Sequence, residues 1–261
     1  MPSIPRLPDL LTTANLCCGV LSVILASQGE LTSACWLLFA GAFFDVLDGF
    51  TARALGGGTP LGAQLDSMAD MITFGLAPGM IAAIQPYNAL LVHVGKAERS
   101  AFDLFSEPLW MAIACAMVIA IASAWRLAKF NNDDRETTGF FGLATPANAL
   151  LWASFGLISL GVGIVHGPMA SGPELLITEL TASAPAKLIL AIALGVLMLS
   201  DLSLPGLKFK HYRWRGNEVI YSLLGLGALL IVLYGILAVP LIMLIYLASP
   251  VWGKVFGKPT S

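Results

Sequence analysis

Charge is scarce in this sequence. Asp, Glu, Lys and Arg make up 11% of its 261 residues, against roughly 25% in a soluble domain. So few charges cannot cover a water-facing surface. With 14 Lys and Arg against 16 Asp and Glu, there is no basic excess for nucleic acid. Histidine is nearly absent: His93, His166 and His211 stand apart, so no histidine-rich metal site can be written. The cysteines Cys17, Cys18, Cys35 and Cys115 fall in apolar runs without a Cys-x-x-Cys pair. They read as small reduced core residues, not as a disulfide framework or a thiolate site.

What the chain has is apolar length. Hydrophobic residues make up 57% of it, and a bilayer-spanning helix needs about 20 apolar residues. The pattern predicts helices over about Leu10–Gln28, Leu31–Leu55, Leu61–Ile84, Pro108–Trp125, Thr145–Val165 and Ala186–Leu202. The first lies in an uncharged run longer than the apolar core of a signal peptide, so it reads as a retained helix. Residues 219–253 carry no charge over 35 positions, with Gly235 and Pro240 near the middle. That is too long for one span and reads as two short helices joined by a tight turn. The expected fold class is an all-α polytopic membrane protein with about eight transmembrane helices. It is expected to form one domain over 1–261, with core helices over about 10–202 and two extra spans over about 217–253.

Basic residues set the expected orientation, because cytoplasmic segments carry the excess of Lys and Arg. With eight spans, one side holds 11 basic residues and the other holds only Lys96, Arg99 and Lys187. Seven spans would give 9 against 5. Both termini are therefore expected in the cytoplasm. The basic stretch Lys208–Arg215, with Tyr212 and Trp214 interleaved, reads as an interfacial belt facing anionic headgroups.

Against this background, one stretch is anomalous: FDVLDGFTARALGGGTPLGAQLDSMAD, Phe44–Asp70. Asp45 and Asp48 are three apart and share one helix face, with Gly49, Ala52 and Arg53 on or beside it. Gly62, Asp66 and Asp70 are each four apart and line one stripe of the next helix. Gly56–Pro60 breaks the chain between them, making the two helices antiparallel neighbours. Four carboxylates can then converge, and ionisable groups in a membrane are functional by default. A convergent set needs cations, and carboxylate oxygens suit hard ions such as Mg²⁺ or Mn²⁺. Two ions could clamp a phosphate. The small residues leave room near the backbones, and Arg53 can pair with phosphate.

The pattern Asp45-x2-Asp48-Gly49-x2-Ala52-Arg53-x8-Gly62-x3-Asp66-x3-Asp70 resembles the CDP-alcohol phosphatidyltransferase motif at every position. The resemblance implies an integral membrane enzyme that transfers a phosphatidyl group from a CDP-linked lipid to an alcohol and releases CMP. It also implies a dimetal Mg²⁺ or Mn²⁺ site on Asp45, Asp48, Asp66 and Asp70, with Asp70 as the general base. CDP-lipid contacts are expected from Gly49, Ala52, Arg53, Gly62 and Asn15, and a homodimer from the family's habit. Single displacement is expected, because no Ser, Cys or His nucleophile is placed with the aspartates. Met68 and Met71 read as packing residues, and Phe74 and Gly75 as the lining of an acyl groove.

Further segments look like membrane-embedded phosphatidylserine synthases: LTTANLCCG (Leu11–Gly19), WRLAKFN (Trp125–Asn131) and GFFGLATPANA (Gly139–Ala149). The implied acceptor is L-serine, whose carboxylate needs a cation. Arg126 is the candidate, with Lys129 and Asn131 beside it. Lys129 and Ala144 depart from the usual pattern of this branch. Glycerol 3-phosphate or inositol phosphate would ask for more basic residues, and Asp70–Val94 holds no Lys or Arg. An ether-linked donor remains an alternative, since lipid tails leave little trace in sequence. A cation transporter with an intramembrane carboxylate site is the competing class. It predicts an inverted repeat, and the aspartate pattern occurs once. The expected setting is the cell membrane, with the site facing the cytoplasm.

Overall fold

A computed structural model of the chain describes residues 6–94, 107–132, 140–162, 172–204 and 218–256. The expected basic belt at 208–215 and the loops at 95–106, 133–139 and 163–171 lie outside the described residues. So do residues 1–5.

The described residues are almost wholly helical. Helix α1 is Leu7–Ser27 and α2 is Leu31–Ala54. Gly29, at φ 86°, turns the chain between them. Only glycine takes that conformation without steric cost, and Glu30 N donates to Leu25 O at 2.9 Å to close the α1 end. Helix α3, Pro60–Asp70, runs without a break into a π-helical segment, Met71–Leu76, and then α4, Ala77–Val94. Helix α5 is Glu107–Asn131 and α6 is Thr145–Ser159. Next come α7, Pro173–Ala182, and α8, Ala184–Leu199, which meet at 100°. Helices α9, Glu218–Tyr234, and α10, Ala238–Phe256, are joined by a 3-10 turn at Gly235–Leu237. Strands β1, Phe140–Phe141, and β2, Ser203–Leu204, form an antiparallel two-residue ladder.

Among the described residues, five helical runs are long and apolar enough to cross a membrane, or six if α7 and α8 are one broken span. One of these runs, Gly225–Ala248, is not straight. A side chain started at Gly227 would lie 3.5 Å from Ile242, and Gly235 has φ 58°. The chain therefore doubles back at Gly235, as the uncharged stretch around it suggested.

Helix α6 sits in the centre. It is apolar on all sides, which marks a buried helix, and Trp152, Ala153, Leu157 and Ile158 are fully buried. It packs against α2, α4, α7 and α10. Gly161, at φ 69°, ends it earlier than Val165: Gly161 N and Val162 N donate back to Ile158 O and Leu157 O at 2.9 Å. This is a glycine C-terminal cap.

Two further expectations are corrected. Helix α5 does not stop at Trp125 but continues through Arg126, Lys129 and Asn131. A helix can carry charge once it leaves the hydrocarbon, so charge alone does not mark its end. Lys187, counted with the exposed basic residues of one side, is not exposed. It lies in α8, is 0% exposed, and donates from Nζ to Ala82 O at 2.6 Å. The cause is local: residue 86 is proline, which has no N–H to offer the carbonyl four residues earlier. Lys187 supplies the missing donor.

Lys187→Ala removes that donor together with a buried four-carbon stem. It is expected to cost about 2–5 kcal/mol, as for other large-to-small changes in a core. Lys187→Met should recover the packing part only. Thermal unfolding in detergent, followed by tryptophan fluorescence, checks both.

Candidate active site

The turn between α2 and α3 builds the site. Gly56 and Gly57, at φ 90° and 114°, reverse the chain, and Gly57 N donates to Ala52 O at 2.9 Å. Thr59 then caps α3, accepting from Gly62 N at 2.9 Å, with Pro60 in the first turn. A hydroxyl cap followed by proline is a strong helix start.

The turn brings Asp45, Asp48 and Asp66 together. One carboxylate oxygen from each lies within 4.8 Å of the other two. Asp66 Oδ1 is buried and has no hydrogen-bond partner, an arrangement that a bound cation would complete. Oxygen donors at this spacing fit a hard ion of the Mg²⁺ or Mn²⁺ kind. Asp70 stands one turn further along α3. It is outside that trio, but close enough to feel the charges of Asp45, Asp66 and Asp48.

Helix α1 lies across these carboxylates. Thr12 Oγ1 contacts Asp48 Oδ2 at 2.6 Å, and Asn15 Nδ2 donates to Asp70 Oδ1 at 3.2 Å. The structure thus places Asn15 on Asp70, fully buried. Thr12 was not singled out from sequence. Its only signal is its position, three residues before Asn15 and so on the same face of α1.

A cavity of about 200 Å³ opens beside the trio. Gly49, Ala52 and Gly62 line it, as expected for donor contacts, together with Asp48 and Asp66. Asp9, Thr12 and Thr59 also line it and were not anticipated. A Cβ on Gly62 would lie 2.8 Å from Asp9 Oδ1, so the Asp9 side chain would have to shift to admit it. Arg53 is exposed, and its guanidinium lies over Gly49, 3.5 Å from where a Cβ would sit.

A second, open groove of about 500 Å³ lies between α3 and α5, lined by Gln64, Ser67, Met68, Met71 and Asn131. Asn131 Nδ2 donates to Ser67 Oγ at 2.9 Å. Met68 is 65% exposed, so it lines this groove instead of packing. Phe74 and Gly75 are both buried, and Ser123 Oγ donates to Phe74 O at 3.4 Å. Arg126 is 7% exposed and lies 5.3 Å from the Phe130 ring. Lys129 turns away from both cavities. Its Nζ meets Asp201 Oδ1 at 2.9 Å and Leu199 O at 3.2 Å, tying α5 to the end of α8.

A family profile for CDP-alcohol phosphatidyltransferase matches residues 6–202. The chain belongs to this family. The match ends before α9 and α10, which stand outside the shared core. Relatives include the CDP-diacylglycerol–serine O-phosphatidyltransferase of Bacillus subtilis, 27% identical over 83% of this chain and 96% of that protein. The protein of the same name from Helicobacter pylori is 30% identical over 84% of this chain and 79% of its own. The archaetidylserine synthase of Methanothermobacter thermautotrophicus is 29% identical over 76% and 69%. The family expected from Asp45–Asp70 is therefore borne out, and with it a transferase of phospholipid biosynthesis.

Proposed function

We propose that the protein transfers the phosphatidyl group of CDP-diacylglycerol to the hydroxyl of L-serine, giving phosphatidylserine and CMP. The observation that carries this reading is the aspartate trio, with Asp70 one turn away, beside a cavity lined by Gly49, Ala52 and Gly62. In this reading Asp45, Asp48 and Asp66, together with Asp70, hold two Mg²⁺ or Mn²⁺ ions. Held there, the ions would supply positive charge against the donor's pyrophosphate. The small residues let the donor's phosphates approach the backbones of α2 and α3. Arg53, over Gly49, pairs with a phosphate. Asp70 takes the proton from the serine hydroxyl, the new O–P bond forms, and the bond to CMP breaks in a single displacement.

Serine is supported by the relatives' names. One is named for an archaetidyl group, yet all three name serine. The acceptor is the shared element. We assign the serine site to Arg126 and to the groove at Asn131. Lys129, engaged by Asp201, serves to anchor α5. The full chain is read as one membrane domain with eight spans, counting α9 and α10 separately, both termini in the cytoplasm and the site at that face. A homodimer is the expected assembly.

The test is CMP release by purified protein with CDP-diacylglycerol and Mg²⁺ or Mn²⁺. Arms with serine, glycerol 3-phosphate, inositol phosphate and no acceptor run in parallel. Release that depends on serine is expected. Release with another arm alone would replace the acceptor and keep the family.

A further inference from the structure

Helix α1 carries no carboxylate of the motif, yet it reaches two of the four. Thr12 and Asn15 lie one turn apart on the face of α1 that covers α2 and α3. Thr12 Oγ1 is 2.6 Å from Asp48 Oδ2 and 3.0 Å from Pro8 O. Its hydroxyl has a single proton, and the short contact to an ionised acceptor is the stronger one. Asn15 can offer Asp70 only its N–H end, because its carbonyl oxygen would face a carboxylate. Nδ2 therefore donates to Asp70 Oδ1, and Asn15 Oδ1 is left buried toward Gly41, without a hydrogen bond.

Asn15 is itself fixed from behind. Thr73 Oγ1 donates to Asn15 O at 3.0 Å. Thr73 is fully buried and sits between two glycines. A Cβ on Gly19 would lie 2.8 Å from Thr73 Cα, and one on Gly41 would lie 2.7 Å from the Thr73 methyl. The π-helical segment that begins straight after Asp70 delivers Thr73 to this socket. Such segments recur at functional sites because they rephase the residues that follow.

We propose that α1 is the orienting element of the centre. Thr12 occupies one oxygen of Asp48, and Asn15 occupies one oxygen of Asp70. Each carboxylate is thereby held in one orientation, that of Asp48 to take up the ion and that of Asp70 to take the acceptor's proton. Asp66, whose Oδ1 has no partner, is left open to ligate. Thr12 and Asn15 are positioning residues, acting through the two carboxylates. The inference rests on the proposed reading of the trio as metal ligands and of Asp70 as base.

The experiment titrates Mn²⁺ into the full-length protein in detergent, reading free Mn²⁺ by its paramagnetic resonance signal, which needs no turnover. Removing partners that orient metal ligands typically weakens binding by about 10- to 100-fold. Thr12→Val is expected to fall in that range, with Thr12→Ser restoring most of the affinity. Thr12→Val binding Mn²⁺ like wild type, or Thr12→Ser binding as weakly as Thr12→Val, overturns the proposal for Thr12. Asn15→Leu is expected to lower kcat while KM for the donor stays put. If KM rises and kcat holds, Asn15 is a nucleotide contact instead. Gel filtration and thermal unfolding of each variant separate these effects from misfolding. Should wild-type protein bind Mn²⁺ but release no CMP with any acceptor, the proposed reaction fails. The Mn²⁺ comparison still decides the role of α1.

Discussion

Asp70→Asn is expected to cut CMP release by about 10²- to 10⁴-fold, the usual contribution of a positioned base, while Mn²⁺ still binds. Asp66→Asn is expected to lose both. The contrast follows from placement. Asp66 is one of three aspartates whose oxygens lie within 4.8 Å of one another, and its Oδ1 is buried without a donor. Asparagine there halves the oxygen supply and removes a charge from the trio. Asp70 lies outside the trio, with one oxygen already held by Asn15. Its loss leaves at least one ion on Asp45, Asp48 and Asp66 but takes away the group that accepts the hydroxyl proton. The measurement pairs Mn²⁺ titration with CMP release for both variants. Loss of all Mn²⁺ binding in Asp70→Asn would make Asp70 foremost a ligand and shift the base elsewhere. Unchanged CMP release would remove it from the reaction.

The site was more legible in the sequence than the fold around it, for physical reasons. Carboxylates inside apolar helices are costly, so Asp45, Asp48, Asp66 and Asp70 stood out, and their spacings set them on faces without any tertiary information. Gly56–Pro60 declared the turn in the same way. Thr12 did not stand out. A hydroxyl in a membrane helix can satisfy itself on its own backbone, as Thr13 does with Asp9 O at 2.7 Å, so its presence carries no cost to notice. Lys187 was misplaced for the opposite reason. Its charge reads as exposed at one face of the membrane, and only the fold brings it to the carbonyl that Pro86 cannot serve. The end of α5 was read too early because Arg126 and Lys129 look like solvent-facing charge. One packs over Phe130 and the other is paired to Asp201. The π-helical segment at Met71–Leu76 leaves no mark in an apolar run, and only the fold shows Thr73 packed between Gly19 of α1 and Gly41 of α2.

That packing has a large expected effect of its own. Gly19→Ala should both destabilise the protein and impair turnover, although alanine is the better helix former. Within an isolated helix the change would gain about 0.8–1.0 kcal/mol. Here the new Cβ would meet Thr73 Cα at 2.8 Å and Thr73 N at 2.9 Å, and main chain cannot swing aside as a side chain can. Overpacking of a close-packed contact costs about 1–3 kcal/mol, so the clash outweighs the propensity. The relief is a shift of α1 away from the π-helical segment. Thr12 and Asn15 ride on α1, so the same shift withdraws their donors from Asp48 and Asp70. Misplacing a catalytic constellation by about 1 Å can cost about 10²-fold in rate, more than the stability loss alone would take. Gly225→Ala is the control, since a Cβ there meets nothing within 4 Å and should leave both stability and rate unharmed. Thermal unfolding and CMP release, measured on the two variants side by side, check the argument. A Gly19→Ala protein as active as wild type would mean that α1 can move without disturbing the carboxylates, and that its contacts with them are incidental.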